Sequence, residues 1–159
     1  MDNLNEIRKE LNNYVKAKRN LTQLGVLRSE RTIGEYGEWF AEKLTGGVRN
    51  IKTSSKGYDL TKGTLRIQVK SHAKGDTNNA RWTDWTYENK DFDELILLIF
   101  NKELVLKEAY SMTYEQACER INQNLKNKVL KWDDYQDYQI SKFPSKLNSF
   151  ISDELKSKQ

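Results

Sequence analysis

Leu95–Phe100, LILLIF, is an unbroken run of six apolar residues. A strand with one wet face alternates polar and apolar positions. A strand apolar at every position is covered on both faces. The run therefore predicts the central strand of a sheet with a packed layer on each side, which is an α/β architecture with a mixed sheet. A chain of 159 residues is large enough to build such a core as one domain. The expected division of that single domain, 1–159, is an N-terminal helix over 1–25, a core over 33–110 and a C-terminal extension over 111–159.

The chemistry-bearing stretch is Gly57–Ala73, GYDLTKGTLRIQVKSHA. It reads as two strands with Lys62-Gly63 at the turn. Leu65, Ile67 and Val69 project from one face of the second strand, and Gln68 and Lys70 from the other. Asp59 lies near the start of the first strand. A carboxylate, an amide carbonyl and an ammonium gathered on one hairpin suit a hard divalent cation with a water beside it.

Upstream, Leu4, Ile7, Leu11, Tyr14, Val15 and Leu21 recur at helical spacing, with Gly25 as the stop. A second helix spans Ile33–Leu44, with Thr32 as its cap and Glu35 in the capping-box position. Ile33, Tyr36, Phe40 and Leu44 form its apolar stripe, and Gly34, Gly37 and Ala41 permit close approach to a sheet. Glu38 falls at the edge of that close-packing face, whereas Glu35 and Glu42 lie farther round toward solvent. Val48–Thr53 reads as a strand.

Beyond the hairpin, a polar loop leads to a short helical piece near Trp82–Asn89. Glu103–Tyr110 reads as a strand and Tyr114–Asn124 as a helix capped by Thr113. Short strands are expected at Val129–Trp132 and Tyr135–Ile140, and a last helix at Leu147–Leu155. The mixture of Arg81, Trp82, Trp85 and Tyr87 suits phosphates and stacked bases, although a tryptophan there also packs naturally under a sheet.

Residues 1–75 carry 15 Lys and Arg against 8 Asp and Glu, and residues 76–159 carry 12 against 15. The basic half holds the candidate site, which points to a polyanion, nucleic acid first. The single cysteine, Cys118, forms no internal disulfide and reads as a core residue, and the N-terminus lacks a secretory layout. Together these predict a cytoplasmic protein with no membrane contact. No phosphate-binding G-x-x-x-x-G-K-[ST] loop, G-x-S-x-G or C-x-x-C occurs, so nucleotide-binding, hydrolase-elbow and dithiol chemistries are not indicated.

A helix Glu in GEYGEWF, an Asp in GYDL and a Gln-x-Lys in IQVKS, in that order, resemble the PD-(D/E)XK nuclease superfamily, over about residues 33–110. The resemblance implies a restriction-endonuclease-like αβββαβ core and a metal-dependent endonuclease, with DNA as the favoured substrate. It implies Glu38, Asp59, Gln68 and Lys70 as catalytic residues. It implies Mg²⁺, with Mn²⁺ as substitute, held by Asp59, the Gln68 carbonyl, the Val69 backbone carbonyl and Glu38. No proline precedes Asp59, and Gln68 stands where most members have an acid, as in the Mrr-like restriction branch. Lys52, Ser55, Lys56, His72, Lys74 and Arg81 are the candidate nucleic-acid contacts, and a homodimer would supply two sites for two strands. The alternatives are a catalytically silent nucleic-acid-binding module on the same fold and a protein-interaction domain whose basic face meets an acidic partner.

Overall fold

The computed structural model describes residues 3–23, 33–50, 57–77, 79–121 and 128–158. In chain order the elements are α1 (Leu4–Gln23), α2 (Ile33–Thr45), β1 (Val48–Arg49), β2 (Leu60–Lys62), β3 (Leu65–His72), β4 (Trp82–Asp84), β5 (Glu94–Phe100), β6 (Leu106–Thr113), α3 (Tyr114–Ile121) and β7 (Val129–Lys131). The 3₁₀ segments Trp132–Tyr138 and Ser145–Phe150 follow, then α4 (Asp153–Lys156). The class is mixed α/β. A five-stranded sheet runs β1-β2-β3-β5-β6, and β4 pairs with β7 in a separate ribbon. β1, β2 and β3 form an antiparallel meander, β5 lies parallel to β3, and β6 returns antiparallel to β5.

The apolar run lies on β5, an interior strand between β3 and β6, and feeds two cores by alternation. Ile96, Leu98 and Phe100 pack with Phe40, Leu60, Ile67 and Phe150, under α2 and the C-terminal segments. Leu95, Leu97 and Ile99 pack with Phe92, Tyr110, Trp132 and Tyr135 on the opposite face. Each fully buried side chain of this kind contributes about 1.5–3 kcal/mol, which explains why neither face of β5 tolerates a polar residue. α1 lies on the first core through Leu11 and Val15, as its amphipathic pattern leads one to expect.

Asp93 fixes how β3 and β5 meet. Its carboxylate accepts from the Arg66 backbone N–H at 2.9 Å, and from Arg66 Nε at 3.1 Å and Nη2 at 3.0 Å. Its own N–H donates to Arg66 O at 2.9 Å. The paired guanidinium holds the Asp93 carboxyl down at about 2. This clamp sits where β5 enters beside β3 and sets the register that carries Gln68 and Lys70.

α2 approaches β3 at Gly37. A Cβ there would fall 2.6 Å from Ser71 Cβ, closer than carbon atoms pack, so the helix would have to lift off the sheet. Gly37→Leu is therefore expected to lower the melting temperature by about 5 °C or more, an overpacking cost of about 1–3 kcal/mol or higher. In thermal unfolding, Gly37→Ala combined with Ser71→Gly is expected to recover most of the loss of Gly37→Ala alone. If Ser71→Gly brings no recovery, the contact is not the cause.

Four expectations are corrected. The Trp82–Asn89 segment is not helical: Trp82–Asp84 is strand β4, paired with β7 from Trp82↔Lys131 to Asp84↔Val129. A partner more than forty residues away decided that. β6 begins at Leu106, not Glu103, because the Asn101 side chain closes a turn, accepting from the N–H groups of Glu103 and Val105 at 3.0 Å each. Tyr36 Oη donates to Leu104 O at 3.0 Å within the same turn.

Tyr135–Ile140 is not a strand. Residues to Tyr138 are 3₁₀, docked by Tyr135 Oη on Ala117 O at 2.6 Å and by the Arg120–Asp137 pair. The expected final helix is split, because Ile151 bridges Leu106 as an extended residue and Ser152 then caps α4. The Thr113 cap forms in full: Thr113 Oγ1 accepts from Gln116 N–H, and Gln116 Oε1 accepts from Thr113 N–H at 2.8 Å. Gly25, Thr32 and residues 51–53 of the expected first strand lie outside the described residues. Among those described, no helix is long and apolar enough to cross a membrane.

Candidate functional site

The β2–β3 ladder ends at Leu60↔Ile67. Just before β2, the Asp59 N–H donates to Ile67 O at 2.8 Å, and Asp59 O accepts from Asn50 N–H at 2.9 Å. The backbone of Asp59 is thus pinned between two neighbouring strands. Its side chain turns to the next position on β3. Oδ2 accepts from the Val69 N–H at 2.8 Å and from Gln68 Nε2 at 2.5 Å. A carboxylate takes the place that a backbone carbonyl would fill in a continuing ladder.

Gln68 is 9 % exposed. Its amide nitrogen also donates to Val69 O at 3.2 Å, so it sits between two oxygens, one anionic and one neutral. These are the two groups expected to bind a cation. The amide nitrogen, with its partial positive charge, stands at the point where they converge.

Glu38 projects from α2 toward the same region. Its carboxyl is pushed above the usual range first by burial and next by the charge of Asp59, with Glu35 adding to the rise and Arg49 opposing it. Asp59 is also raised, by burial, against the Val69 N–H, the Lys70 charge and the Gln68 amide, which lower it. Two carboxyl groups are therefore held close and partly desolvated with their negative charge incompletely offset. A groove of about 300 Å³ lined by Glu35, Glu38, Glu42, Arg49 and Asn50 opens beside them. Lys70, next on the same face of β3 as Gln68, is half-buried and carries its ammonium 5.2 Å from the centre of the Tyr87 ring.

The donor set fits a hard divalent cation. Asp59 and Val69 O converge, Gln68 brings an amide oxygen to the same point by rotation about its last bond, and Glu38 supplies a second carboxylate. Asp59 and Glu38 are the two acids assigned to this donor set, and among the described residues no group of three or more His, Cys, Asp or Glu side chains forms a metal cluster. A cation here relies on neutral oxygens.

The structure thus brings Glu38, Asp59, Gln68, Val69 and Lys70 together. The candidate nucleic-acid contacts divide differently. Lys52, Ser55 and Lys56 lie outside the described residues. Lys74 is exposed, its ammonium 5.5 Å from the centre of the Trp82 ring. Arg81 is engaged within the chain, bidentate on Glu108 at 2.8 and 2.9 Å, with Asp133 Oδ1 accepting from its Nη2 at 2.9 Å and its Nε at 3.0 Å. It reads as a structural clamp across β4, β6 and the first 3₁₀ segment.

His72 turns to the small ribbon. Its Nε2 lies 2.8 Å from Thr83 Oγ1, which also accepts from Trp132 Nε1 at 3.0 Å. Burial, then the charges of Lys74 and Lys70, lower the His72 pKa to about 4. The unfolded chain takes up that proton near 6.5, so the unfolded state binds more protons between these values. Stability is accordingly full above about 6.5 and is lost as pH falls toward 4. His72→Asn is expected to flatten this limb in melting temperatures measured from pH 7 to 4.5. An unchanged limb would assign it to other groups.

Sequence reasoning left Tyr87 out of the site. Its aromatic neighbourhood was visible, but nothing in the spacing placed it beneath Lys70. No family model matches the sequence, and no curated protein matches it.

Proposed function

We propose that the chain is a metal-dependent nuclease acting on DNA, with Asp59 at its centre and a restriction-endonuclease-like core around it. The observation that carries this reading is the convergence of Asp59 Oδ2 and Val69 O on Gln68 Nε2, with the Lys70 ammonium on the same face of β3. A divalent cation at such a point supplies Lewis-acid charge and an activated water. The residues do the rest. Asp59 and Val69 O provide fixed oxygens, and Lys70 places positive charge where a phosphoryl group gains negative charge. Glu38 would add a second carboxylate from α2, bound to the ion directly or through water.

The test is cleavage of plasmid and single-stranded DNA with Mg²⁺ or Mn²⁺ against EDTA. Cleavage is expected to need the metal and to fall about 10²-fold or more in Lys70→Met, a loss of the size seen for transition-state donors. Metal-independent cleavage, or cleavage indifferent to Lys70, would sink the reading.

One observation favours a second reading, a catalytically silent nucleic-acid-binding module. The Gln68 amide already satisfies Asp59 at 2.5 Å and so competes with any cation. Salt-sensitive DNA binding with no cleavage on any substrate would select it.

A further inference from the structure

The crossover between β3 and β5 carries Trp85, Tyr87 and Phe92, which cluster with Tyr114 at the start of α3. Trp85 meets Tyr87 at 4.9 Å and Tyr114 at 5.7 Å, and Phe92 meets Tyr87 at 4.9 Å and Tyr114 at 5.2 Å, between ring centres. The Tyr87–Trp85 and Tyr87–Phe92 contacts are edge-on, so the Tyr87 ring is gripped from two sides. The crossover is itself pressed onto the start of the hairpin, since a Cβ at Gly57, where φ is +98°, would run into Asp91. The ring is therefore fixed relative to Asp59, two residues after Gly57.

One contact of Tyr87 is unexplained by packing alone. The Lys70 ammonium lies over its ring at 5.2 Å. The hydroxyl is not what the contact uses: it is buried with no hydrogen-bond partner among the described residues, and such an unpaired group costs about 1–3 kcal/mol. A phenylalanine would fill the same cluster without that cost. The phenol also feels Asp59, whose charge, after burial, raises its pKa.

We infer that Tyr87 is a positioning residue of the site: its ring holds the Lys70 ammonium on the Asp59 side of β3. The inference rests on the nuclease reading for its catalytic consequence, but not for its structural content. Lys70 has a flexible four-carbon stem and would otherwise sample many rotamers. The electron-rich face of a fixed ring restricts the ammonium to one region. The crossover thereby contributes to the site without touching a ligand.

The test uses three variants of the full chain, Tyr87→Phe, Tyr87→Trp and Tyr87→Leu. The first readout is the proton shift of the Lys70 ε-methylene, assigned by its absence in Lys70→Met. It is expected upfield of the other lysines in the wild type. It is expected to stay there in Tyr87→Phe and Tyr87→Trp and to return to the common position in Tyr87→Leu.

The second readout is metal-dependent cleavage. Tyr87→Leu is expected to lower kcat about 10–100-fold with KM within about twofold, the signature of a misplaced group rather than lost binding. Tyr87→Phe is expected to restore most of the rate. Leu and Phe variants with equal Lys70 shifts would overturn the inference, as would a Phe variant as slow as Leu. If the wild type cleaves nothing, the nuclease reading fails while the Lys70 shifts still decide whether the ring holds the ammonium. Should Tyr87→Leu fail to fold, Tyr87→Met takes its place with the same two expectations.

Discussion

Asp59→Asn is expected to abolish metal-dependent cleavage, by about 10³-fold or more, and at the same time to raise the melting temperature of the metal-free protein at pH 7. Asparagine keeps an oxygen for the Val69 N–H and Gln68 Nε2, so the junction between β2 and β3 stays tied. What disappears is the negative charge. That charge is penalised in the fold, because burial raises the Asp59 carboxyl and its partners only partly lower it. Its removal also relieves Glu38, which Asp59 pushes upward.

The sign follows from proton linkage. A carboxyl with a raised pKa binds protons more tightly folded than unfolded. Stability therefore falls as pH rises through the window between the unfolded and folded values. This limb runs opposite to that of His72, so the two are separated by comparing each variant with wild type in the same buffers. Asp59→Asn should reduce the carboxylate limb to the share of Glu38, which burial still raises, and keep the histidine limb. Thermal unfolding from pH 4 to 8, with and without Mg²⁺, measures both. A variant that is less stable than wild type at pH 7 would show that the carboxylate serves the fold, and a variant that still cleaves would place the centre elsewhere.

Gln68→Glu carries the other large effect, and its sign depends on the metal. Without metal, a second carboxylate replaces the amide nitrogen 2.5 Å from Asp59 Oδ2 and 3.2 Å from Val69 O. A donor between two acceptors becomes a third acceptor. The expected loss is about 1–3 kcal/mol, the cost of leaving buried polar groups unpaired, or roughly 2–10 °C for a chain of this size. Like charge also drives one of the two carboxyls further up.

With Mg²⁺ or Mn²⁺ the same three oxygens are expected to become ligands, and the variant should gain more stability per added metal than wild type. At a metal concentration about 100 times the dissociation constant, that gain is about 2.7 kcal/mol. Melting temperatures across a metal titration give the comparison. Equal metal shifts in Gln68→Glu and wild type would show that Gln68 does not stand in the cation's place. A variant as stable as wild type without metal would show that the amide contact contributes nothing.

The site was legible in the sequence because its residues lie on elements with strong local patterns. β3 alternates, so Gln68 and Lys70 had to share a face opposite Ile67 and Val69. α2 has a clear apolar stripe and small residues at Gly37 and Ala41, so Glu38 had to lie beside the packed edge. Period and spacing are properties of the chain alone. The residue types at these positions were equally legible, but not the direction of the Gln68 amide, which is set by Asp59 Oδ2 and Val69 O meeting at one point. That meeting depends on where the ladder stops.

The double-sided burial of Leu95–Phe100 was likewise determined by composition along one strand, since an unbroken apolar run has no face to give to water. What only the tertiary structure decided is everything that depends on distant partners. Trp82 and Trp85 stand at helical spacing, yet Trp82–Asp84 becomes a strand because Val129–Lys131 lies beside it. Ile151 interrupts a helical pattern because Leu106 offers a backbone partner. Arg81 looks like a free cation in the sequence and is spent on Glu108 and Asp133. Tyr87 reaches Lys70 because the crossover folds back over β3. Local preferences of a few tenths of a kcal/mol per residue yield to long-range pairing and burial worth several times more.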